Sequence, residues 1–240
     1  MVTGPGLLGV VVPARDEAQL LPECLRALSR AAAHPDLAAL PVLVVVVADR
    51  CTDATAEGAR RGGARVLEIA AGNVGEARHA GVLAVLGDAT RAGVPRERVW
   101  LASTDADSRV PPDWLAGQVA GAVSGVDAVL GTVVVEDWTG HPPNAPAAFA
   151  AAYDSWRAGG PGAVHPHVHG ANLGVRGSAY TAVGGFPPLV VSEDQALVGA
   201  LLLSGRTVLR TPISPVATSA RRVPRAPGGF GTDLDRLLPD

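Results

Sequence analysis

Two aspartates separated by one residue are the strongest chemical feature of the sequence. Asp105 and Asp107 follow the apolar run Val99–Ser103, whose pattern predicts a buried strand. In extended backbone, residues i and i+2 point the same way, so the two carboxylates converge where the strand ends. Two like charges held together need a cation or a proton between them, and Mg²⁺ and Mn²⁺ prefer oxygen ligands. The pair predicts a divalent-metal site; the alternative is a solvated loop.

A further acidic residue, Asp49, ends the apolar run Val42–Ala48, which is suited to a strand buried on both faces. Open α/β sheets hold their ligands at the carboxyl ends of their strands, so Asp49 is expected at the same edge as Asp105. There it could accept a hydrogen bond from a nucleobase or a ribose hydroxyl. Asp53, a few residues later, fits the start of the next helix as its cap.

A candidate anion site lies in the segment Asn73–Arg78, which precedes or opens a helix expected from Glu76 to about Ala92. The positive end of a helix dipole and the guanidinium of Arg78 together suit a diphosphate. The alternative is an exposed surface arginine.

Three of the six histidines alternate at His165, His167 and His169. They allow three interpretations: a zinc site, for which no fourth ligand is evident; a catalytic role in which His169 completes the metal shell or touches a diphosphate; or an acceptor-side loop without metal.

All 20 basic side chains are arginine. Without lysine the chain has neither a Schiff-base amine for pyridoxal phosphate chemistry nor a P-loop lysine. The net charge of −3 gives no basic field that would indicate nucleic acid or an anionic membrane. The longest apolar runs are well short of the ~18 residues that span a bilayer, and the N-terminus lacks the positive region of a signal peptide. These features predict a soluble, cytoplasmic protein.

Apolar runs alternate with helical patterns along the first half of the chain. Strands are expected at Leu8–Val12, Val42–Ala48, Arg65–Ile69 and Val99–Ser103, and helices from Asp16 to about Ala33, from Asp53 to Gly62, and from Glu76 to about Ala92. Such alternation predicts right-handed βαβ units and a mostly parallel sheet. A G-x-G-x-x-G match at Gly4–Gly9 precedes the first strand instead of opening a helix, so it predicts no dinucleotide site.

The second half is less regular. Helices are expected at Trp114–Val123, at Ala147–Arg157 and from Ser192 to just before Gly205, and strands at Ala128–Val135 and, last, at Thr207–Arg210. Capping boxes are predicted at Asp16/Gln19 and Ser192/Gln195. From Pro224 onward the Pro- and Gly-rich chain is expected to form an extended, partly mobile tail.

Several short motifs stand in a fixed order along the chain: Val11–Glu17, Asp49–Asp53, Gly75–Arg78, Asp105–Asp107, Gly170–Arg176, Val183–Phe186 and Ser192–Asp194. Each is weak alone, but in this order and spacing they resemble the family 2 glycosyltransferases of the GT-A fold, over roughly residues 8–222. One departure is Ala48, where the family commonly has an acidic residue, and it loosens the assignment of the donor base.

The resemblance implies a Rossmann-like, mostly parallel sheet flanked by helices, and a hexosyltransferase-type enzyme with Mn²⁺ or Mg²⁺. It implies one domain over residues 1–240, with a nucleotide-binding half at about 8–107 and an acceptor and catalytic half at about 108–223. The resemblance places Pro13, Ala14, Arg15, Glu17, Asp49 and Asp105 on the nucleotide side, Asp105 and Asp107 at the metal, and Glu193 and Asp194 as the catalytic pair, with Asp194 as the base. The residues themselves add Arg78 as a nucleotide-side candidate and His169 as a candidate third metal ligand.

Since no ammonium group is available, arginines are expected to neutralise the diphosphate. Besides Arg78, the candidates are Arg15, Arg176, Arg221 and Arg222, although the last two could equally be exposed. An inverting reaction is expected; a retaining GT-A enzyme, a sugar-phosphate nucleotidyltransferase and a degenerate sugar-nucleotide-binding module are the alternatives. A UDP-sugar is the first expectation for the donor and a GDP-sugar the second. The acceptor, a small molecule or a lipid-linked one, stays open.

Overall fold

The structure is a computed structural model that describes residues 4–160, 162–221 and 230–237. Its strands are β1 Leu7–Ala14, β2 Val42–Asp49, β3 Arg65–Ile69, β4 Val99–Ser103, β5 Ala128–Leu130, β6 Val133–Val135, β7 Leu173–Arg176, β8 Val208–Arg210 and β9 Val216–Thr218. Its α-helices are α1 Leu21–Ala32, α2 Thr55–Arg61, α3 Val74–Arg91, α4 Trp114–Val123, α5 Ala145–Tyr153, α6 Gly177–Ala182, α7 Glu193–Leu203 and α8 Phe230–Leu237. Among these residues, no helix is both long and apolar enough to cross a membrane.

Seven of the described strands form one sheet in the order β3-β2-β1-β4-β7-β5-β8. β1 lies at the centre of the first half, paired in parallel with β2 and β4. β7 runs antiparallel to both of its neighbours, β4 and β5. A separate two-stranded sheet joins β6 and β9. The predicted fold class, a mostly parallel sheet flanked by helices, is confirmed.

The apolar strands bury both faces because helices cover the sheet on two sides. Alternate residues of β1 point to opposite faces. Val10 and Val12 pack in a cluster with α1 and α4, whereas Val11 packs in a cluster with α3, α6 and α7. Gly81 of α3 permits a close approach, since a Cβ there would lie 2.4 Å from a methyl carbon of Val11. The packing places the start of α3 and the start of α7 at the same edge of the sheet.

The predicted start of the first helix is wrong. Residues 15–20 form turns, and α1 begins at Leu21, with Pro22 in its first turn. Asp16 has a left-handed backbone (φ 51°), and its carboxylate accepts the N–H of Thr52 at 2.7 Å. It therefore ties two loops together instead of capping a helix.

The capping box predicted at Ser192 is also absent. Ser192 precedes α7 with a φ of 62°, and its side chain makes no capping hydrogen bond. Instead Asp194 accepts the N–H of Gln195 at 2.8 Å. The left-handed backbone of Ser192 turns the chain into the helix, while the carboxylate of Asp194 occupies one of its free amides.

Three predictions in the second half need correction. The single strand over Ala128–Val135 is two strands in different sheets, because the Asn172 side chain fills the space beside Gly131 and donates to the Thr132 carbonyl at 2.8 Å. The helix expected to run to Arg157 ends at Tyr153 and continues as a 3₁₀ turn. Thr207–Arg210 is not the last strand, since β9 follows it.

The C-terminal segment is not extended throughout. Residues 230–237 form α8, which packs through Phe230 and the buried Leu234 against Phe149 and Ala220. An amphipathic segment with apolar residues four apart explains this packing. The rest of the predicted tail, residues 224–229 and 238–240, lies outside the described residues.

Candidate functional site

A cleft of about 1140 Å³ opens at the carboxyl edge of the parallel strands. It is lined by residues of both halves of the chain, because the loops after β1, β2 and β4 meet the segment before β7 and the start of α7. Twelve of the residues predicted from the sequence line it: Pro13, Ala14, Arg15, Glu17, Asp49, Arg78, Asp105, Asp107, His169, Glu193, Asp194 and Arg221.

The two aspartates of the D-x-D motif each contact an arginine. Asp105 Oδ1 lies 2.6 Å from Nη2 of Arg78, and Asp107 Oδ2 lies 2.6 Å from Nη2 of Arg221. Burial, followed by the negative charge of Asp105, raises the pKa of Asp107 to about 6. The guanidinium of Arg221 opposes this rise, so burial and the charge of Asp105 outweigh the neighbouring cation.

Arg78 is buried, so the alternative of an exposed surface arginine is wrong. Its Nε donates to Glu193 at 2.9 Å, and its Nη1 donates to the Ser103 hydroxyl and to the Gly170 carbonyl. Burial disfavours the charged guanidinium, but Asp105 and Glu193 more than offset that cost and raise its pKa. Arg78 therefore acts as a permanent buried cation that holds two carboxylates.

Arg78 fits into this position because residue 170 has no side chain. A Cβ on Gly170 would lie 2.3 Å from the Arg78 guanidinium. The Gly170 amide in turn donates to Oδ2 of Asp194 at 2.7 Å. One short segment thus contacts both the buried cation and the predicted base.

Asp194 is half-buried at the first turn of α7. Burial and then the adjacent charge of Glu193 raise its pKa, and Arg78 and the backbone amides of Gln195 and Gly170 oppose this only in part. A carboxylate with a raised pKa in a cleft is better suited to accept a proton than an ordinary solvated aspartate.

Asp49 is buried and engaged with the backbone of the loop before α3. Its two oxygens accept the N–H groups of Gly72 at 2.8 Å and Asn73 at 2.9 Å. Asn73 then caps α3 by accepting the N–H of Glu76. Asp49 therefore shapes this wall of the cleft, and its predicted contact with a nucleobase stays a prediction.

Arg221 bridges the two halves of the cleft. It donates through Nη1 to Glu17 at 3.0 Å and through Nη2 to both Glu17 and Asp107. Glu17 is held in turn by the bond from its own N–H to the Thr55 hydroxyl. Arg221 thus lies inside the site and is not an exposed residue; Arg222 lies outside the described residues.

The prediction for Arg176 is wrong. Arg176 pairs with Trp100 across β4 and β7, at the opposite end of β4 from Asp105. Its guanidinium donates to the carbonyls of Glu97, Ala122 and Val126. It is a structural residue that satisfies buried carbonyl groups, far from any diphosphate in the cleft.

The three histidines form a stack instead of a converging metal site. Neighbouring imidazoles lie 5.9 Å apart, and each Nε2 has a hydrogen-bond partner: Leu130 O for His165, Tyr153 O for His167 and the Tyr153 hydroxyl for His169. Burial lowers the pKa of His169 to about 4. Nε2 of His169 is therefore already engaged, and the geometry favours the interpretation of an acceptor-side loop.

Sequence reasoning missed Tyr153, which holds this stack together. Its ring lies parallel to His167 at 3.9 Å, and its hydroxyl accepts the N–H of Val133 at 2.9 Å. Only the periodicity of α5 could have indicated its position, and nothing in the sequence links it to residues 165–169.

The acidic groups of the cleft fit a divalent cation in chemistry, although their ligand atoms are not gathered into a preformed cluster. Six carboxylates and four guanidinium groups line the cleft: Glu17, Asp49, Asp105, Asp107, Glu193 and Asp194 against Arg15, Arg78, Arg210 and Arg221. Hard oxygen ligands with unbalanced negative charge suit Mg²⁺ or Mn²⁺. In the described part of the chain, the grouping of three ligand atoms within 4.8 Å is Asp16, Cys51 and Asp53, whose atoms already bond to neighbouring backbone and hydroxyl groups.

A Rossmann-ordered parallel sheet that is extended by an antiparallel strand, with acidic groups at its carboxyl edge, defines the GT-A type of glycosyltransferase fold. The model of "Glycosyl transferase family 2" matches residues 9–174, and the chain belongs to this family. No curated protein matches the chain.

Solved glycosyltransferases share the fold. The mannosyltransferase PcManGT of Pyrobaculum calidifontis, in complex with GDP-Man and Mn²⁺, superposes with a TM-score of 0.59 at 22% identity, over 92% of this chain and 58% of its own. S. aureus TarS 1-349 superposes with a TM-score of 0.58 at 18% sequence identity, over 89% of this chain and 60% of its own. Glucosyl-3-phosphoglycerate synthase of Mycobacterium tuberculosis, in complex with Mn²⁺ and UDP-glucose, superposes with a TM-score of 0.54 at 16% sequence identity. The superposition covers 89% of this chain and 71% of the synthase. The chain thus spans about three-fifths of the length of the first two.

Proposed function

We propose that the protein transfers a sugar from a nucleotide diphosphate sugar to an acceptor hydroxyl, with a divalent metal and with inversion at the anomeric carbon. One observation carries the proposal: Arg78 links the D-x-D carboxylate of Asp105 to Glu193, and so holds Asp194 in the same cleft. This contact supports a proposed diphosphate site and a proposed acceptor base as neighbours in one cleft.

In the proposed reaction, the acceptor oxygen forms a bond to the anomeric carbon as the bond from that carbon to the diphosphate oxygen breaks. The acceptor proton passes to Asp194, whose pKa is raised by burial and by Glu193. The amides of Gly170 and Gln195 each bond one carboxylate oxygen and orient the group. Single displacement of this kind inverts the anomeric configuration.

The leaving diphosphate gains negative charge as the bond breaks. Asp105 and Asp107 would hold the Mn²⁺ or Mg²⁺, which supplies a Lewis acid for that charge. Arg221 lies beside Asp107, and its contacts with Glu17 and Asp107 leave it at the mouth of the same site. Arg15, which is exposed in the cleft, is the second arginine available to the diphosphate.

Support for the donor class comes from the fold: PcManGT was solved with GDP-Man, and the mycobacterial synthase with UDP-glucose. We propose a UDP-sugar as the first candidate donor and a GDP-sugar as the second. The nucleobase of the donor would contact the loop that Asp49 holds through the amides of Gly72 and Asn73. The test is a thermal-shift panel of UDP-, GDP- and dTDP-sugars with and without Mn²⁺. One nucleotide should raise the melting temperature in a metal-dependent way and then be hydrolysed slowly; a protein that none of them stabilises would contradict the proposal.

A further inference from the structure

Beyond Asp194 the cleft continues along one face of α7. Gln195, Val198, Gly199 and Leu202 line it, at the spacing of three or four residues that puts side chains on one side of a helix. Since each residue of a helix rises 1.5 Å, Leu202 lies about 12 Å along the axis from Asp194. This face therefore leads away from the proposed base for the length of a small molecule.

The remaining lining of this part of the cleft is also weakly polar. Pro166, His167 and Val190 line the same cleft, and the ring of Tyr153 stacks on His167. Val190 and Leu202 are 59% and 51% exposed despite being large apolar residues. Concave surfaces with exposed apolar side chains and few polar groups are typical of small-molecule sites.

We propose that this part of the cleft, the α7 groove (Pro166, His167, Val190, Val198, Gly199 and Leu202), binds the body of the acceptor, and that the acceptor is an uncharged hydroxyl compound with an aromatic or alicyclic body. The inference rests on the proposed function, because Asp194 is the group that would meet the acceptor hydroxyl. It goes further by assigning a chemical class and a place to the molecule that receives the sugar.

The charges around the groove favour an uncharged acceptor. None of its six residues carries a carboxylate or a guanidinium group. Arg210 lines the cleft nearby, but its Nη1 donates to the carbonyls of His165 and His167 at 3.3 and 3.0 Å. It thereby fixes the backbone of the histidine segment. An acceptor with an anionic group at Arg210 is the competing outcome.

Gly199 offers a direct way to block the groove. A Cβ built on it meets no atom within 4 Å, and its backbone is helical. Because Gly199 lines the cleft, a large side chain at this position is expected to occupy space in the groove.

Binding of 2-naphthol, its carboxylated analogue 6-hydroxy-2-naphthoate and glucose to the intact protein is measured by ligand-observed NMR titration. The Kd of 2-naphthol should be at least tenfold lower than that of the other two. Gly199→Trp should raise it at least tenfold. Tighter binding of glucose or of the carboxylate, or an unchanged Kd in Gly199→Trp, would overturn the inference.

A pair of variants covers the case in which the tryptophan variant does not fold. Leu202→Glu places a charge in the groove, whereas Leu203→Glu changes an adjacent residue that is 93% exposed and does not line the cleft. Only Leu202→Glu should weaken 2-naphthol binding; equal effects would overturn the inference. Titrating the same proteins with nucleotides distinguishes failure of this inference from failure of the proposed function. A wild-type protein that binds 2-naphthol but no nucleotide would contradict only the proposed function.

Discussion

The Nε of Arg78 lies 2.9 Å from Oε1 of Glu193, although 115 residues separate the two in sequence. Both side chains are almost completely buried, at 4% and 6% exposed. The ion pair joins the start of α3 to the start of α7, and so fixes the two halves of the cleft relative to each other. Because Arg78 also contacts Asp105, a single cation sets the spacing between the D-x-D motif and Asp194.

Arg78→Leu should therefore destabilise the fold strongly. It leaves Glu193 buried without its cation and Asp105 without its partner, and breaking such a buried pair costs about 3–5 kcal/mol. Urea denaturation followed by circular dichroism measures the change. Arg61→Leu is the matched control, because Arg61 pairs with Glu57 at the exposed surface of α2; it should change the free energy of unfolding much less. Similar losses in both variants would contradict the structural role of Arg78.

Asp194→Asn separates proton transfer from binding. The amide oxygen can still accept the Gly170 N–H, but the side chain can no longer take a proton, so transfer should fall by at least about 100-fold. Nucleotide affinity, measured by calorimetry, should stay within twofold of the wild type, because Asp194 is not proposed to contact the donor. Wild-type turnover in this variant would remove Asp194 from its role as the base.

Asp107→Ala should abolish the metal dependence of nucleotide binding. The measurement is calorimetric titration of UDP and GDP with and without Mn²⁺. Cys51→Ala serves as the control, because Cys51 belongs to the other group of potential ligands, with Asp16 and Asp53. If metal dependence vanished in the cysteine variant and persisted in Asp107→Ala, the metal would be assigned to the wrong place.

Asp107→Asn should stabilise the metal-free protein at neutral pH. The pKa of Asp107 is raised to about 6 in the fold, above its usual value near 4, so the folded state binds the proton more tightly and the charged form costs stability. This cost is absent below about pH 4, develops as the pH rises from about 4 to 6, and is fully present at pH 7. Arg221 keeps its contacts with Glu17 in the variant.

Denaturation of wild type and Asp107→Asn at pH 4 and pH 7, without metal, tests this expectation. The two proteins should differ little at pH 4, and the variant should be the more stable at pH 7. A difference that is the same at both values would show that the carboxyl does not titrate in this window.

The strands and helices whose formation depends on neighbouring residues could be predicted from the sequence. Arg65–Ile69, Val99–Ser103 and Trp114–Val123 have the predicted bounds, because continuous apolar runs and helical periodicity are local signals. The convergence of Asp49 and Asp105 at one edge followed from the parallel order of their strands. The predicted site residues at the ends of β1, β2 and β4 line one cleft for the same reason.

The failures concern contacts between distant parts of the chain. The sequence alone does not distinguish the roles of Arg176 and Arg78. Arg176 binds carbonyl groups at the far end of the sheet, whereas Arg78 binds two carboxylates in the site. The antiparallel direction of β7 decides this difference, and no local pattern encodes it. Ser192 fails as a cap because its backbone is left-handed, which a serine in the sequence does not signal.

The place of β7 in the sheet has a consequence for synthesis on the ribosome. Strands β1 to β4 are complete once Ser103 has emerged, and they are neighbours in the sheet. β5 follows at Ala128–Leu130, but both of its partner strands, β7 and β8, are translated later. Since chains begin to fold as they emerge, a nascent protein that ends before Leu173 carries an apolar strand without a partner. This interval is where contact between neighbouring nascent chains competes most with folding.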